Sequence, residues 1–158
     1  MQEIERKFLL ASVPAGVREW VPIRQGYLAV GTDAAVRVRQ HGDRCWLTCK
    51  RGVGMVRDEW EVELTADQWE TLWPATTTAR VEKSRGHLAV DDAIAVVDVF
   101  HGDLAGLVLA EVEFRTEQDA RAFVPPAWMA HDVTDDPRYG NRSLAVAGLP
   151  APGGETRG

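Results

Sequence analysis

The N-terminal stretch MQEIERKFLL, residues 1–10, places charges at alternate positions. Glu3, Glu5 and Lys7 share one parity, and Ile4 lies on the other. Strict alternation of this kind predicts a β-strand with one charged face and one apolar face. Whether the charged face meets solvent or the interior of the protein decides which fold the chain adopts.

Charged residues of one sign recur at alternate positions in later strand-like segments. They are Arg37 and Arg39, Glu61 and Glu63, Lys83 and Arg85, and Glu111 and Glu113, with Lys50 and Asp98 standing singly. A solvated strand face would explain any one pair. Surface faces usually intersperse the two signs, however, because like charges so close repel each other. Since the other parity is apolar in most segments, the joint pattern predicts a closed barrel with its charges in the lumen.

The secondary-structure pattern is mainly β. Strand-like segments lie near 2–10, 23–30, 35–41, 44–50, 57–64, 79–86, 87–91, 94–99 and 109–115. Helices are predicted over 65–73, 116–123 and 138–147, the first two with threonine N-caps. Many antiparallel strands with few helices indicate a sandwich or a barrel. We expect one mainly β (α+β) domain over 1–148 and a disordered tail over 149–158.

Composition excludes several classes of protein. The net charge is −6, and no long basic run suggests nucleic-acid binding. No stretch approaches the roughly 20 apolar residues of a membrane helix, and the N-terminus lacks a signal-peptide pattern. The expected compartment is therefore the cytoplasm. Cys45 and Cys49 would lie about 13 Å apart in a strand, too far for a disulfide, so buried reduced thiols are expected.

A lumen with this charge content suits one chemistry above others. Unpaired ions in a dry core would cost several kcal/mol each, so the lumen must be wet and filled by compensating charge. Arginine and lysine supply donors for phosphate oxygens, and carboxylates are hard ligands for Mg²⁺ or Mn²⁺. The pattern therefore predicts a small polyanionic substrate together with a divalent cation.

Ordered motifs also support a family resemblance. The segment EIERK at 3–7 matches an ExExK signature, and further matches follow at QGYL 25–28, VRVR 36–39, LTCK 47–50, EVEL 61–64, Lys83 with Arg85, 98–114 and 132–145. Over nearly its whole length the chain resembles the CYTH superfamily, also called triphosphate tunnel metalloenzymes. The resemblance implies an eight-stranded antiparallel tunnel barrel with a few outer helices and metal-dependent action on triphosphates.

The resemblance also implies roles for individual residues. Metal ligands would be Glu3, Glu5, Glu111 and Glu113, with Glu61, Glu63 and Asp98 as further members of the set. The substrate's phosphates would be bound by Lys7, Arg37, Arg39, Lys50, Lys83 and Arg85. Tyr27, Lys50 and Lys83 are the catalytic candidates. Tyr27 is either a proton acceptor or a wall residue, because an unshifted phenol with a pKa near ~10 is a poor base at neutrality.

Residues beside this set receive less specific predictions. Arg57 and Glu59, next to a glycine-containing loop, are expected either at the rim or as a solvent-exposed pair. Tyr139 and Asn141 are expected to anchor the last helix, which could close one tunnel end and set the substrate length.

The expected reaction is hydrolysis of tripolyphosphate to diphosphate and phosphate, as in the short single-domain bacterial branch of the superfamily. The alternatives are a class IV type adenylyl cyclase, a thiamine or nucleoside triphosphatase, and a non-catalytic polyphosphate-binding module. RNA 5′-triphosphatase activity is a further alternative, which the acidic net charge disfavours. We expect no nucleic-acid or membrane partner, and we leave a homodimer open.

Overall fold

The structure, a computed structural model, describes residues 2–151. Of the tail expected over 149–158, the part from 152 onward lies outside the described residues. The strands are β1 Gln2–Leu9, β2 Arg18–Val30, β3 Ala34–His41, β4 Arg44–Arg51, β5 Val56–Leu64, β6 Arg80–Val90, β7 Ala93–Phe100, β8 Val108–Glu113 and β9 His131–Asp132. The helices are α1 Ala66–Leu72, α2 Glu117–Ala122 and α3 Asn141–Ala147, with 3₁₀ turns at Trp73–Thr76, Gly102–Leu104 and Pro137–Tyr139.

Eight strands close into one antiparallel barrel in the order β5-β4-β3-β2-β6-β7-β8-β1. Closure comes from β1, whose first residues pair with the start of β5, so that Glu3 lies opposite Arg57. The end of β1 pairs instead with the short strand β9, Leu9 opposite His131. The predicted closed barrel is confirmed.

Strand boundaries differ from the sequence prediction at two places. The segments 79–86 and 87–91 form the single strand β6, since Gly86 continues the ladder opposite Val97. Gly86 serves close packing there, because an added Cβ would lie 2.4 Å from a side-chain carbon of Val17. The second strand begins earlier than the predicted residue 23, and an irregularity between Arg18 and Val21 interrupts its pairing with β6.

Two of the apolar clusters lie between the outer face of the barrel and the segments that cover it. Phe8 packs with Phe123, which directly follows α2, and Val38 packs with Trp69 of α1. Helix α1 begins with a capping box in which Thr65 and Gln68 exchange side-chain hydrogen bonds. These contacts bury the apolar parity of the strands on the outside, so the charged parity faces the lumen.

The third apolar cluster lies inside the barrel at one end. Val81, Phe100 and Leu109 have the same inward parity as the charged residues of their strands, and Leu144 of α3 packs against them. Helix α3 therefore closes this end of the lumen. It begins at Asn141, later than predicted, because Pro137–Tyr139 forms a separate 3₁₀ turn. No helix within residues 2–151 has the length and apolar character needed to cross a bilayer.

Candidate active site: the charged tunnel

A cavity of about 1130 Å³ occupies the lumen of the barrel. Its walls come from the inward parity of the strands, from the loop between β4 and β5, and from α3. Eleven of the predicted site residues line it: Glu3, Glu5, Lys7, Tyr27, Arg37, Arg39, Lys50, Glu61, Arg85, Glu111 and Glu113. The structure thus brings together, from seven different strands, most of the residues that the sequence singled out.

Lys83 and Asp98 lie behind the wall of this cavity, and Asp98 is the centre of a buried ion-pair network. Lys83 Nζ donates to Asp98 Oδ2 at 2.7 Å and to Asn141 Oδ1 at 3.1 Å. Arg85 donates from Nε and Nη2 to the two Asp98 oxygens at 2.7 and 2.8 Å. With both oxygens occupied by these donors and only 1% of the residue exposed, Asp98 is better placed to orient two bases than to ligate a metal.

Burial and charge have opposite effects on the pKa values in this network. Burial lowers the pKa of Lys83 to about 7, although the Asp98 carboxylate opposes the shift. Burial also opposes ionisation of Asp98, but the cationic Lys83 and Arg85 hold its pKa below the usual value. The result is an ionised Asp98 clamped by Arg85 and a lysine that titrates near neutrality.

Glu111 links this network to β1. Lys7 Nζ lies 3.2 Å from Glu111 Oε1, and Arg85 Nη2 lies 3.8 Å from Oε2. Burial opposes ionisation of Glu111, yet the charges of Lys7 and Arg85 lower its pKa well below the usual value. Glu111 is therefore ionised at neutral pH and available to an incoming cation.

The basic residues of β3 have less compensation than those of β6. Arg39 Nη2 approaches Glu61 Oε2 only to 3.5 Å, and Arg37 forms no ion pair within residues 2–151. The Nε atoms of both arginines are buried without a hydrogen-bond partner in the described part of the chain. Burial, followed by the charges of Arg37 and Arg85, lowers the pKa of Arg39 to about 10. This incompletely compensated positive charge makes the β3 wall a place for an anion.

Glu63 does not join the cavity lining, although its parity matches that of Glu61. Arg44 donates to its two carboxylate oxygens at 3.0 and 2.8 Å, and the side chains of both residues are largely exposed. Glu61, by contrast, accepts a hydrogen bond from Thr48 at 2.8 Å in a partly buried position inside the barrel. The predicted metal role of Glu63 is therefore not supported by its position.

Arg57 and Glu59 lie in the tunnel wall, which corrects their expected position at the rim. Arg57 Nη2 contacts the Glu5 carboxylate and lies 3.8 Å from Glu3 Oε2. Lys50 Nζ lies 2.9 Å from Glu3 Oε2 and 3.5 Å from Glu59 Oε2. Sequence reasoning placed Arg57 at the rim because a glycine-containing loop precedes it, whereas the non-local pairing of β5 with β1 draws it inside.

Carboxylates crowd one side of the cavity. Burial, and then the negative charges of Glu3 and Glu59, raise the pKa of Glu113 above its usual value. Repulsion of this kind is what a divalent cation would relieve, and hard oxygen donors suit Mg²⁺ or Mn²⁺. The donor set therefore fits such an ion. Within residues 2–151, however, no three His, Cys, Asp or Glu side chains already converge as a ready-made metal site.

The closed end of the cavity contains further residues. Lys7 Nζ donates to the Tyr139 carbonyl at 3.4 Å, and Asn141 accepts from Lys83 as described above. Arg142 donates to the Gly31 carbonyl at 2.9 Å, which ties α3 to the turn between β2 and β3. Tyr27 is buried in the wall opposite Arg37. Its role as a proton acceptor stays a prediction.

An antiparallel tunnel barrel with bases and carboxylates facing one cavity defines the CYTH class of proteins. No protein-family model matches the chain. It is 47% identical over 150 residues to an inorganic triphosphatase of Nitrosomonas europaea, covering 93% of this chain and 99% of the relative. It is 35% identical over 146 residues to an inorganic triphosphatase of Acetivibrio thermocellus, covering 90% and 92%.

Structural similarity agrees with the sequence similarity. A crystal structure of an inorganic triphosphatase superposes with a TM-score of 0.72 at 44% identity, covering 94% of this chain and 97% of that one. The chain therefore belongs to the inorganic triphosphatase family.

Proposed function

We propose that this protein hydrolyses inorganic triphosphate to diphosphate and phosphate inside the tunnel. The observation that carries the proposal is the cavity in the barrel lumen, where Arg37, which forms no ion pair within residues 2–151, and Arg39, which only approaches Glu61 at 3.5 Å, face a group of crowded carboxylates. A linear triphosphate with a divalent cation supplies both missing charges at once. Membership of the inorganic triphosphatase family supports the choice of substrate.

The basic residues would position the phosphates. Arg37 and Arg39 on one wall and Lys7 and Arg85 on another can donate to phosphate oxygens from different directions. Phosphoryl transfer requires little covalent chemistry from the protein, so positioning and electrostatic stabilisation supply most of the rate enhancement. Asp98 would act indirectly, by holding Lys83 and Arg85 in place.

We propose Glu3, Glu5, Glu111 and Glu113 as the residues that would hold Mg²⁺ or Mn²⁺, with Glu61 beside them. The bound ion would supply positive charge next to the phosphate oxygens and lower the pKa of the attacking water. Burial, and then the charges of Glu3 and Glu59, raise the pKa of Glu113 above its usual value, so this carboxyl would lose a proton more readily once a cation is bound beside it. A cytoplasmic location stays a prediction from the sequence.

A homodimer, which the sequence leaves open, is a further proposal. Trp60 and Val62 on the outer face of β5 are half or more exposed, which leaves the question to a measurement of molecular mass in solution.

The test measures phosphate and cyclic-nucleotide release by the purified protein. Tripolyphosphate, ATP and thiamine triphosphate are compared with Mg²⁺, with Mn²⁺ and with a chelator. We expect phosphate release to be fastest from tripolyphosphate and to stop with the chelator. Preferential turnover of either organic triphosphate, or formation of a cyclic nucleotide, would overturn the assignment.

Two substitutions connect the activity with the cavity. Glu3→Gln and Arg39→Ala, made separately, should each lower phosphate release more than tenfold, or about 1.4 kcal/mol in barrier height. If neither does so, the tunnel is not the site of the reaction.

A further inference from the structure

Arg57 occupies an unusual place among the bases of the tunnel. It lies on β5 directly opposite Glu3, at the seam where β1 and β5 close the barrel. Its side chain lines the cavity and is 19% exposed. Unlike Arg37, which meets no carboxylate within residues 2–151, Arg57 contacts two.

The two carboxylates that Arg57 contacts belong to the proposed metal-binding group. Its Nη2 atom contacts Glu5 Oε1 and lies 3.8 Å from Glu3 Oε2. Glu3 also pairs with Lys50 at 2.9 Å. The charges of Glu3 and Glu5 are thus already neutralised by cations of the chain itself, in agreement with the lack of a ready-made metal site within residues 2–151.

A guanidinium and a divalent cation compete for the same carboxylate oxygens, because two cations so close to each other repel. Arg57 also has a donor to spare, since its Nε atom is buried without a hydrogen-bond partner in the described part of the chain. A freed guanidinium in a phosphate-binding cavity would find bidentate acceptors in phosphate oxygens.

We propose that Arg57 is a displaceable counter-ion, which neutralises Glu3 and Glu5 before a divalent cation binds and is then released to bind the polyphosphate. The inference rests on the proposed function and deepens it. It makes cation binding and substrate binding cooperative, because the arrival of the cation frees a phosphate ligand. It also assigns a role to a residue that sequence reasoning placed at the rim.

The experiment measures Mg²⁺ binding without substrate by calorimetry, for the full chain and two variants. Arg57→Met and Arg37→Met each remove one positive charge from the same cavity, but only the first removes a competitor for carboxylates. We expect Arg57→Met to bind Mg²⁺ at least tenfold more tightly than the unmodified protein. Arg37→Met should increase the affinity for Mg²⁺ clearly less. This smaller increase should shrink between 0.15 M and 0.5 M salt, because Arg37 acts on the bound ion only over a distance that salt screens.

The phosphate half of the proposal has a separate readout. With saturating Mg²⁺, the KM of Arg57→Met for tripolyphosphate should rise at least tenfold, opposite in direction to the change in Mg²⁺ affinity. Arg57→Lys keeps the positive charge, so its Mg²⁺ affinity and its KM for tripolyphosphate should both lie between those of Arg57→Met and the unmodified protein. Circular dichroism and melting of each variant check that it is folded.

Several results would overturn the counter-ion role. Equal tightening of Mg²⁺ binding in the two methionine variants, weaker binding in Arg57→Met, or an unchanged KM would each do so. Absence of Mg²⁺ binding by the unmodified protein would do the same. Failure of the proposed function looks different, since the expected binding pattern would then occur without tripolyphosphate hydrolysis.

Discussion

Replacing Asp98 with asparagine removes the carboxylate that Lys83 and Arg85 share, while the size of the side chain is nearly unchanged. In the structure three donor–acceptor contacts of 2.7 to 2.8 Å converge on the two oxygens of this carboxylate. The variant therefore leaves Arg85, and also Lys83 whenever it is protonated, inside the barrel wall with one neutral amide between them. Asparagine can accept from one donor through its oxygen, but its amide group opposes the other.

The magnitude follows from the burial of the network. Removing one partner of a buried ion pair typically costs about 3–5 kcal/mol, because the remaining charge stays uncompensated. For a domain of this size, 1 kcal/mol corresponds to roughly 2–4 °C in melting temperature. We therefore expect the melting temperature of Asp98→Asn to fall by about 6–20 °C.

The loss of stability should depend on pH in a defined direction. Burial holds the pKa of Lys83 near 7, and the Asp98 carboxylate opposes that shift, so its removal lowers the pKa further. In the variant the folded state then binds fewer protons than the unmodified folded state at and below pH 7. Stability consequently falls more steeply for Asp98→Asn as the pH drops through 7, and the difference should be larger at pH 6 than at pH 9.

The assay is urea unfolding followed by the fluorescence of the six tryptophans, at pH 6 and pH 9. Glu63→Gln serves as the matched control, because it breaks a bidentate pair with Arg44 that is exposed to solvent and so should leave stability almost unchanged. A loss below about 1 kcal/mol for Asp98→Asn, or a loss equal to that of the control, would show that Asp98 is not the counter-ion that Lys83 and Arg85 depend on.

Two further predictions concern the carboxylate group and the barrel wall. Because burial, and then the charges of Glu3 and Glu59, raise the pKa of Glu113, cation binding in acidic buffer should release a proton that Glu113→Gln does not release. Calorimetry in buffers of different ionisation enthalpy measures this release, and equal release by both proteins would contradict the expectation. Gly26→Ala should lose about 1–3 kcal/mol of unfolding free energy, measured in urea, because its Cβ would lie 2.4 Å from the Thr76 side chain, and an unchanged midpoint would contradict that packing.

The parity of charges made the barrel and its lumen predictable. Alternation within single strands identifies which residues share a face, and same-sign pairs such as Glu111 with Glu113 exclude a dry interior and disfavour a free surface. The structure confirms the outcome: Val38 and Val112 are fully buried on the outer side, while Arg37 and Glu111 face the cavity. The alternation of charged and apolar residues within each strand was therefore sufficient to predict which side chains face the lumen.

Depth along the tunnel was not predictable in the same way. Glu61 and Glu63 share parity, yet one reaches the cavity and the other pairs with Arg44 in solvent. Arg57 shares that parity too, and its partner Glu3 comes from the opposite end of the barrel sheet. Such placement depends on the register at which the barrel closes, which no segment of the sequence contains by itself.

If residues turned into the lumen perform the chemistry, a matched pair of arginine substitutions should separate them from residues outside it. Arg39 and Arg44 lie on neighbouring strands and each pairs with a glutamate of β5, but only Arg39 lines the cavity. The measurement is kcat/KM for tripolyphosphate with saturating Mg²⁺. Arg39→Met should lower it more than tenfold, and Arg44→Met should change it less than about twofold, or roughly 0.4 kcal/mol. Equal losses in the two variants would contradict the account.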